Sequence, residues 1–374
     1  MPYLPVNGGH GAITTVGRMR NGIQIWMDDL NSVTIAQDGK RLRLAVVLYP
    51  RLLLGPGLGG GHGFLQGRYG LISDNFVSVN IVMADGNLHT IDERSDLWWA
   101  IQGAGHNFGI VTSVTSKIYD IEHRTWSYTA FTFTGDKIEQ IYQAANDHLN
   151  GTQPMDVTNY SFFINLPSID PNAGVTSVDP AWSKPFQDIG RIATQSAAGD
   201  YPNLPAWTGN GNQDPPCQKV GLVNNRFPID LELYDPEAQR QVYDLFKSAT
   251  QETPALNGSL FLFEGYSLQA VQAVPKESTA VSYRGDKLLL APLIIYAPDG
   301  PELERKATKL GQDLRQILHK ATNRSELHTY INYAFGDETK ENMYGSEQWR
   351  QDRLLVLKNK YDPHRKFSFY APIA

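Results

Sequence analysis

The stretch that decides the reading is GPGLGGGHGFLQGRYGLISDN, residues 55–75, with WWAIQGAGHNFGIVT, residues 98–112, completing it. Six of the nine residues from Gly55 to Gly63 are glycine, and Gly59-Gly60-Gly61 is an unbroken run. Glycine has no Cβ, so such a run takes backbone angles closed to other residues and lets main chain approach a ligand closely. Successive N–H groups in such turns form concavities that suit phosphates. Gly103-Ala104-Gly105-His106-Asn107-Phe108-Gly109 is a second cluster of the same kind. Two readings stand side by side: a cradle for a large phosphate-bearing cofactor, or tight turns at sheet corners.

Outward from this stretch the chain alternates strand and helix signals. Phe76 to Val82 alternates apolar and polar, Asp85-Gly86 is a two-residue turn signal, and Leu88 to Ile91 returns, which together make a hairpin. Gly109 to Ile118 is β-branched and strand-like. Upstream, residues 22–27, 33–35 and 42–48 read as three strands. Downstream, strands are expected at 126–133, 160–166, 260–263, 288–296 and 328–334. Helices are expected at 136–149, 235–250, 301–321 and 349–360. Asp235-Pro236-Glu237 supplies an N-cap, a proline at the first helical position and an acid in the first turn. Residues 167–216, rich in Pro, Gly, Asn and Asp, read as long loops. The strength of the hairpin signal favours α+β with antiparallel pairing over a parallel βαβ arrangement.

With 374 residues, 41% hydrophobic and 19% charged, the composition is that of a folded chain with room for two domains. A net charge of −6 with no block of basic residues argues against nucleic acid or an anionic membrane surface as partner. Cys217 is the one cysteine, so neither an internal disulfide nor a cysteine metal site is expected, and no metal is assigned. No run has transmembrane length, and MPYLPVNGGHG has no signal-peptide core.

These stretches resemble a family. Asn7-Gly8-Gly9-His10-Gly11, Gly59-Gly60-Gly61-His62-Gly63, Tyr69-Gly70-Leu71, Asp74-Asn75, Ala84-Asp85-Gly86, Asp96 to Ala100, Gly105 to Thr112, Tyr330-Ile331-Asn332-Tyr333, Tyr344-Gly345 and Lys360 to Pro363 occur in one order along nearly the whole chain. That order is similar to the fungal FAD-linked oxidases of the berberine-bridge-enzyme-like group, within the vanillyl-alcohol-oxidase (PCMH-type) superfamily. The resemblance implies an α+β fold. A PCMH-type FAD-binding domain would occupy residues 1–120, shortened at its N-terminus and internally. A substrate domain with a large antiparallel sheet flanked by helices would occupy 121–335. Residues 336–374 would return to the FAD domain.

The resemblance also implies site residues. His10, framed by Gly8 and Gly9, matches the histidine that carries the flavin through its 8α-methyl. Gly59, Gly60, Gly61, His62 and Gly63 would wrap the pyrophosphate and ribityl chain, and Asn107, Gly109, Ile110 and Val111 would pass close to the cofactor. Tyr333 is the preferred catalytic base, Tyr330 the second, since two residues three apart would not share a face of a regular strand. A phenol needs its pKa lowered from about 10 to act as base. Glu264, in Phe263-Glu264-Gly265-Tyr266, is a further candidate. Three departures stand against the pattern: the chain starts almost at the His10 motif, Val46 to Arg51 replaces a longer segment bearing a second flavin-linking cysteine, and 167–179 is short of a strand. The expected activity is oxidation of a small alcohol, sugar or secondary metabolite by FAD, with O2 as electron acceptor. The departures leave open a flavin-free binding protein or non-redox cyclase, or an inactive fragment.

Overall fold

In the computed structural model, residues 1–6, 11–27, 29–45, 54–150, 153–164, 180–207 and 220–374 are described. The strands in chain order are β1 (Tyr3–Val6), β2 (Ile23–Trp26), β3 (Val33–Ile35), β4 (Arg41–Ala45), β5 (Phe76–Val82), β6 (Leu88–Ile91) and β7 (Ile110–Lys117). Then come β8 (Thr125–Thr132), β9 (Asn159–Ile164), β10 (Ala193–Asp200), β11 (Val223–Arg226), β12 (Ile229–Leu231), β13 (Leu260–Gly265) and β14 (Leu288–Tyr296).

The three strands expected before residue 50 divide between two sheets. β2 pairs in parallel with β1, whereas β3 and β4 join a five-stranded antiparallel sheet in the order β3-β4-β7-β5-β6. Residues 46–48 of the third expected strand lie outside the described residues. The β5–β6 hairpin turns at Asp85-Gly86, where Gly86 has φ +84°. Ile81, Val79 and Val114 of this sheet pack with Trp99, Ile101 and Phe108 into one core. Leu354, Leu357, Phe367, Ala371 and Ile373 from the last stretch of chain complete that core.

The second sheet has the order β11-β14-β13-β9, with β12 also on β14, and is antiparallel throughout. All nine residues of β14 are buried, so both of its faces are covered. Side chains alternate across a strand. Phe261, Phe263, Leu288, Leu290 and Ile294 face three helices, Ile138–Asn150, Pro236–Glu252 and Gly300–Ala321. Each buried phenylalanine contributes roughly 1.5–3 kcal/mol by leaving water. The helix at 236 starts where the sequence places it, with Asp235 Oδ1 accepting from the Ala238 N–H at 2.8 Å. The opposite face, with Leu262, Leu289 and Glu264, turns toward the glycine-rich turn.

Two expectations need correction. Residues 167–216 are not all loop: the described part holds a helix, Pro180–Gln187, and β10, paired along its whole length with β8. Its sequence, ATQSAAGD, carries small and polar side chains, so neighbouring strand β8 rather than an apolar pattern fixes it. Residues 165–179 and 208–219, Cys217 included, lie outside the described residues. Second, 328–334 is not a strand. Tyr330 is extended, and Ile331–Tyr333 forms a 3-10 turn, in which residues three apart fall on one side.

Candidate active site

One row across the second sheet organises the site. Asp230 of β12 and Glu264 of β13 both pair with Leu289 of β14, and Tyr160 of β9 pairs with Glu264 on the far side. These side chains therefore share the sheet face away from the helices. Glu264 is 2% exposed. Its Oε1 accepts from the Tyr266 hydroxyl at 3.1 Å, and Tyr266 shares a short hydrogen bond with the Tyr160 hydroxyl. Its Oε2 is buried with no partner. Burial pushes the carboxyl up to about 7, against the stabilising pull of Tyr266, Tyr160, Tyr333 and then Arg226.

The 3-10 turn brings the two candidate tyrosines together rather than apart. The Tyr330 and Tyr333 rings meet edge to face with centroids 5.2 Å apart. Arg226 lies 5.2 Å above the Tyr333 ring. Desolvation, then the Glu264 charge, nonetheless raise the Tyr333 phenol well above its ordinary value. Tyr330 is raised for the same first reason. Both phenols are held as proton donors.

The glycine turn is tied to this tyrosine segment. Asn332 Nδ2 donates to the Pro56 carbonyl at 2.9 Å and to the Tyr330 hydroxyl at 2.7 Å. A Cβ on Gly59 would stand 2.5 Å from Ile331 Cγ2, so only glycine permits the contact. Gly60 and Gly61 have φ +99° and +83°, and their carbonyls accept from Ser73 and Ile72 N–H. His62 packs between Tyr266 (5.5 Å, stacked) and Tyr330 (4.6 Å, edge-on). Desolvation lowers its imidazole to about 4, so it is neutral, with Nδ1 2.9 Å from Gln66 Oε1. Gly63 has open space where a Cβ would stand.

Asn107, Gly109, Ile110 and Val111 lie at and just before the start of β7, against β5 and the C-terminal segment. The Asn107 side chain, fully buried, donates to Tyr344 Oη and the Ala371 carbonyl, and accepts from Ile373 N–H. It is spent on the C-terminal segment. A Cβ on Gly109 would lie 2.4 Å from the Val82 carbonyl, and Ile110 and Val111 are core residues of β7 paired with β5. Gly8, Gly9 and His10 lie outside the described residues. Gly11, the next residue, abuts Tyr370: its Cβ would be 2.7 Å from the ring. Tyr370 in turn lies 4.6 Å from the His106 ring. Burial pushes the Tyr370 phenol up to about 12, with the Arg226 cation opposing.

Arg226, Tyr160, Tyr266, Asn332 and Tyr370 were not singled out from sequence. Tyr266 was within reach, because it stands two residues from Glu264 on the same strand face. Arg226 and Tyr160 come from strands that only the sheet register brings together, Asn332 lies between the two candidate tyrosines, and Tyr370 comes from the C-terminal segment.

A curated relative, the FAD-linked oxidoreductase chyH of Penicillium rubens, is 49% identical over 407 aligned positions, which cover all of this chain and 81% of the relative. The chain is a member of the berberine-bridge-enzyme-like FAD-linked oxidoreductases. The family model "Berberine and berberine like" matches residues 329–374, from Thr329 through the tyrosine segment to the C-terminus. The fold is that of a xylooligosaccharide oxidase from Myceliophthora thermophila, with a TM-score of 0.78 at 19% identity, covering all of this chain and 86% of that one. It is equally that of the glucooligosaccharide oxidase of Acremonium strictum, with a TM-score of 0.76 at 18% identity over the same shares.

The enzyme is thus an FAD-linked oxidoreductase, and its described residues fit that cofactor. A buried acid with an orphaned oxygen, a wall of phenols and imidazoles, and a glycine turn open at Gly63 provide donors, an acceptor and flat apolar surface on one side of the site. Gly11 reaches the same wall at Tyr370. Among the described residues no helix is long and apolar enough to cross a membrane, and no cluster of three or more His, Cys, Asp or Glu offers a metal site.

Proposed function

We propose that this FAD-linked oxidoreductase is an oxidase of a small alcohol, sugar or secondary metabolite, with Glu264 as its base. Bound FAD would supply the two-electron acceptor for the hydride of a substrate C–H at flavin N5, with O2 as the final electron acceptor and peroxide as its product. Glu264 Oε2 takes the proton of the adjacent O–H or N–H as the C–H bond breaks. Tyr266, donating to Oε1, steadies the carboxylate that accepts this proton. Tyr333 and Tyr330 remain protonated, orient the substrate oxygen and keep water from Glu264. The sequence preference for Tyr333 as base gives way because its surroundings hold the phenol's proton more tightly, whereas Glu264 is poised near 7. His10 would carry the flavin covalently, and Gly59 to Gly63 would bind its polar chain.

The observation that carries this reading is the orphaned, desolvated Glu264 carboxyl among three phenols. A sugar substrate agrees with the xylobiose bound to the xylooligosaccharide oxidase and with the name of the glucooligosaccharide oxidase. The latter carries a 6-S-cysteinyl, 8α-N1-histidyl FAD, whose histidyl link agrees with the role given to His10. The test is peroxide formation from a panel of oligosaccharides and alcohols by wild type and Glu264→Gln. General-base loss costs about 10²–10⁴-fold in turnover with flavin retained. Full activity in Glu264→Gln would exclude Glu264, and a panel oxidised only with an artificial acceptor would exclude O2.

A further inference from the structure

A small cavity of about 40 Å³ lies between the sheet face and the glycine turn, touching Gly61, His62, Asp230, Arg284, Thr329 and Tyr330. That is room for ordered water, and a polar cavity of this kind holds it. Three polar atoms around it are buried without a partner: Asp230 Oδ1, Arg284 Nε and Thr329 Oγ1. Their residues are 8%, 5% and 2% exposed. That set offers both donors and an acceptor, which is what a buried water requires.

Asp230 stands in the same cross-strand row as Glu264, two strand spacings or about 10 Å away. The charges around it are spent elsewhere. Arg284, from the turn before β14, forks onto Asp74 at 2.7 and 2.9 Å. Asp286, from the same turn, holds Arg324 at 2.8 Å and His328 Nδ1 at 2.6 Å. Arg324 also pairs with Glu232 and reaches the main-chain oxygen of Asp230. His62 faces the cavity from the glycine turn as a neutral ring, and Tyr283 and Tyr330 line it as phenols. Asp230 has the negative Asp286 and Glu264 as neighbours, with Arg324 and the Tyr330 N–H opposing them. A buried acid so placed keeps its proton.

We propose that this cavity is an internal hydration site in which Asp230 is held as a neutral acid, its Oδ1 bonded through ordered water to Arg284 Nε and Thr329 Oγ1, and that an uncharged Asp230 leaves Glu264 free to take and release a proton. Asp230 is a positioning residue: ionised, it would put a second negative charge on the face that Glu264 occupies and oppose its ionisation. The half concerning Glu264 rests on that residue being the base; the hydration and protonation of Asp230 do not.

The test has three arms on the flavin-loaded, full-length protein. A crystal structure of the wild type shows ordered water within hydrogen-bond distance of Asp230 Oδ1 and Arg284 Nε; a dry or collapsed cavity overturns the hydration site. In urea unfolding between pH 4 and 7, the unfolding equilibrium constant of the wild type rises relative to Asp230→Asn by up to tenfold per pH unit, because only the wild type must hold a proton that the unfolded chain has released. Parallel curves overturn the neutral acid. The pH–rate profile of Asp230→Asn keeps the ionisation limb of the wild type; a limb moved down by a unit or more shows that Asp230 is charged in the wild type. If Glu264 is not the base, the limb is insensitive to Glu264→Gln while the unfolding arm is unaffected. Should Asp230→Asn not fold, Thr329→Val keeps the side-chain shape and is expected to lose one ordered water; an unchanged water set overturns the proposed bonding.

Discussion

Replacing Glu264 by glutamine should make the protein more stable than wild type in a way that depends on pH. Glu264 is 2% exposed and its carboxyl is raised from 4.5 to about 7, with burial as the first cause. Below about pH 4.5 folded and unfolded chains both hold this proton, and the two proteins differ only by the local swap. Between about 4.5 and 7 the unfolded wild type releases the proton while the folded one keeps it, so wild-type stability falls as pH rises. Above about 7 the difference is constant. A shift of about 2.5 units corresponds to about 3 kcal/mol at ~1.4 kcal/mol per unit. Urea unfolding of both proteins at pH 4, 5.5, 7 and 8 reads the difference, and the contribution of Asp230 cancels because both carry it. The glutamine variant is expected to gain about 3 kcal/mol on wild type between pH 4 and 8. Difference curves flat to within ~0.5 kcal/mol would mean that Glu264 ionises as an ordinary surface acid, and the argument for it as a poised base would fall.

Other predictions address the scaffold and the neighbours of that acid. Tyr266→Phe removes the hydroxyl that donates to Glu264 Oε1, so the acid limb of kcat/KM should move up by about one pH unit, read from the pH–rate profile. Lys358, fully buried, donates to Asp362 at 2.7 Å and to the Asn107 carbonyl at 2.6 Å; Lys358→Met leaves the buried Asp362 charge with only the Lys366 and Phe367 N–H groups and should cost about 3 kcal/mol in urea unfolding. Gly103 has φ +124° and its Cβ would meet Val281 N at 2.5 Å, whereas Gly86 has φ +84° with open space. Gly103→Ala should therefore cost about 3 kcal/mol and Gly86→Ala about 1 kcal/mol, compared by thermal unfolding.

Where a residue's neighbours along the chain set its structure, the sequence was a good guide. The helix at Gly300–Ala321 carries its apolar stripe at helical spacing, and β14 was read to its ends because nine consecutive apolar and proline residues leave little else to form. The β5–β6 hairpin followed from Asp85-Gly86. β10 was missed because its small side chains carry no pattern and its partner β8 holds it. Tyr330 and Tyr333 were assigned opposite faces by a strand period, and the 3-10 turn reversed that. The bonds of Asn107 to Tyr344, Ala371 and Ile373 reach the far end of the chain and are not written in its own motif. The surroundings of Glu264 were not legible for a physical reason. They consist of desolvation and of phenols from β9 and the 3-10 turn, and neither burial nor cross-strand register is written in the local sequence.

The central claim is that this chain holds FAD on His10 and uses it against the Glu264 wall. The visible absorbance spectrum of the purified protein, taken before and after acid precipitation, tests it most directly. The account predicts a flavin spectrum that stays with the precipitated polypeptide, and a peptide containing His10 whose mass is increased by that of FAD. A colourless protein that takes up no added FAD would contradict it.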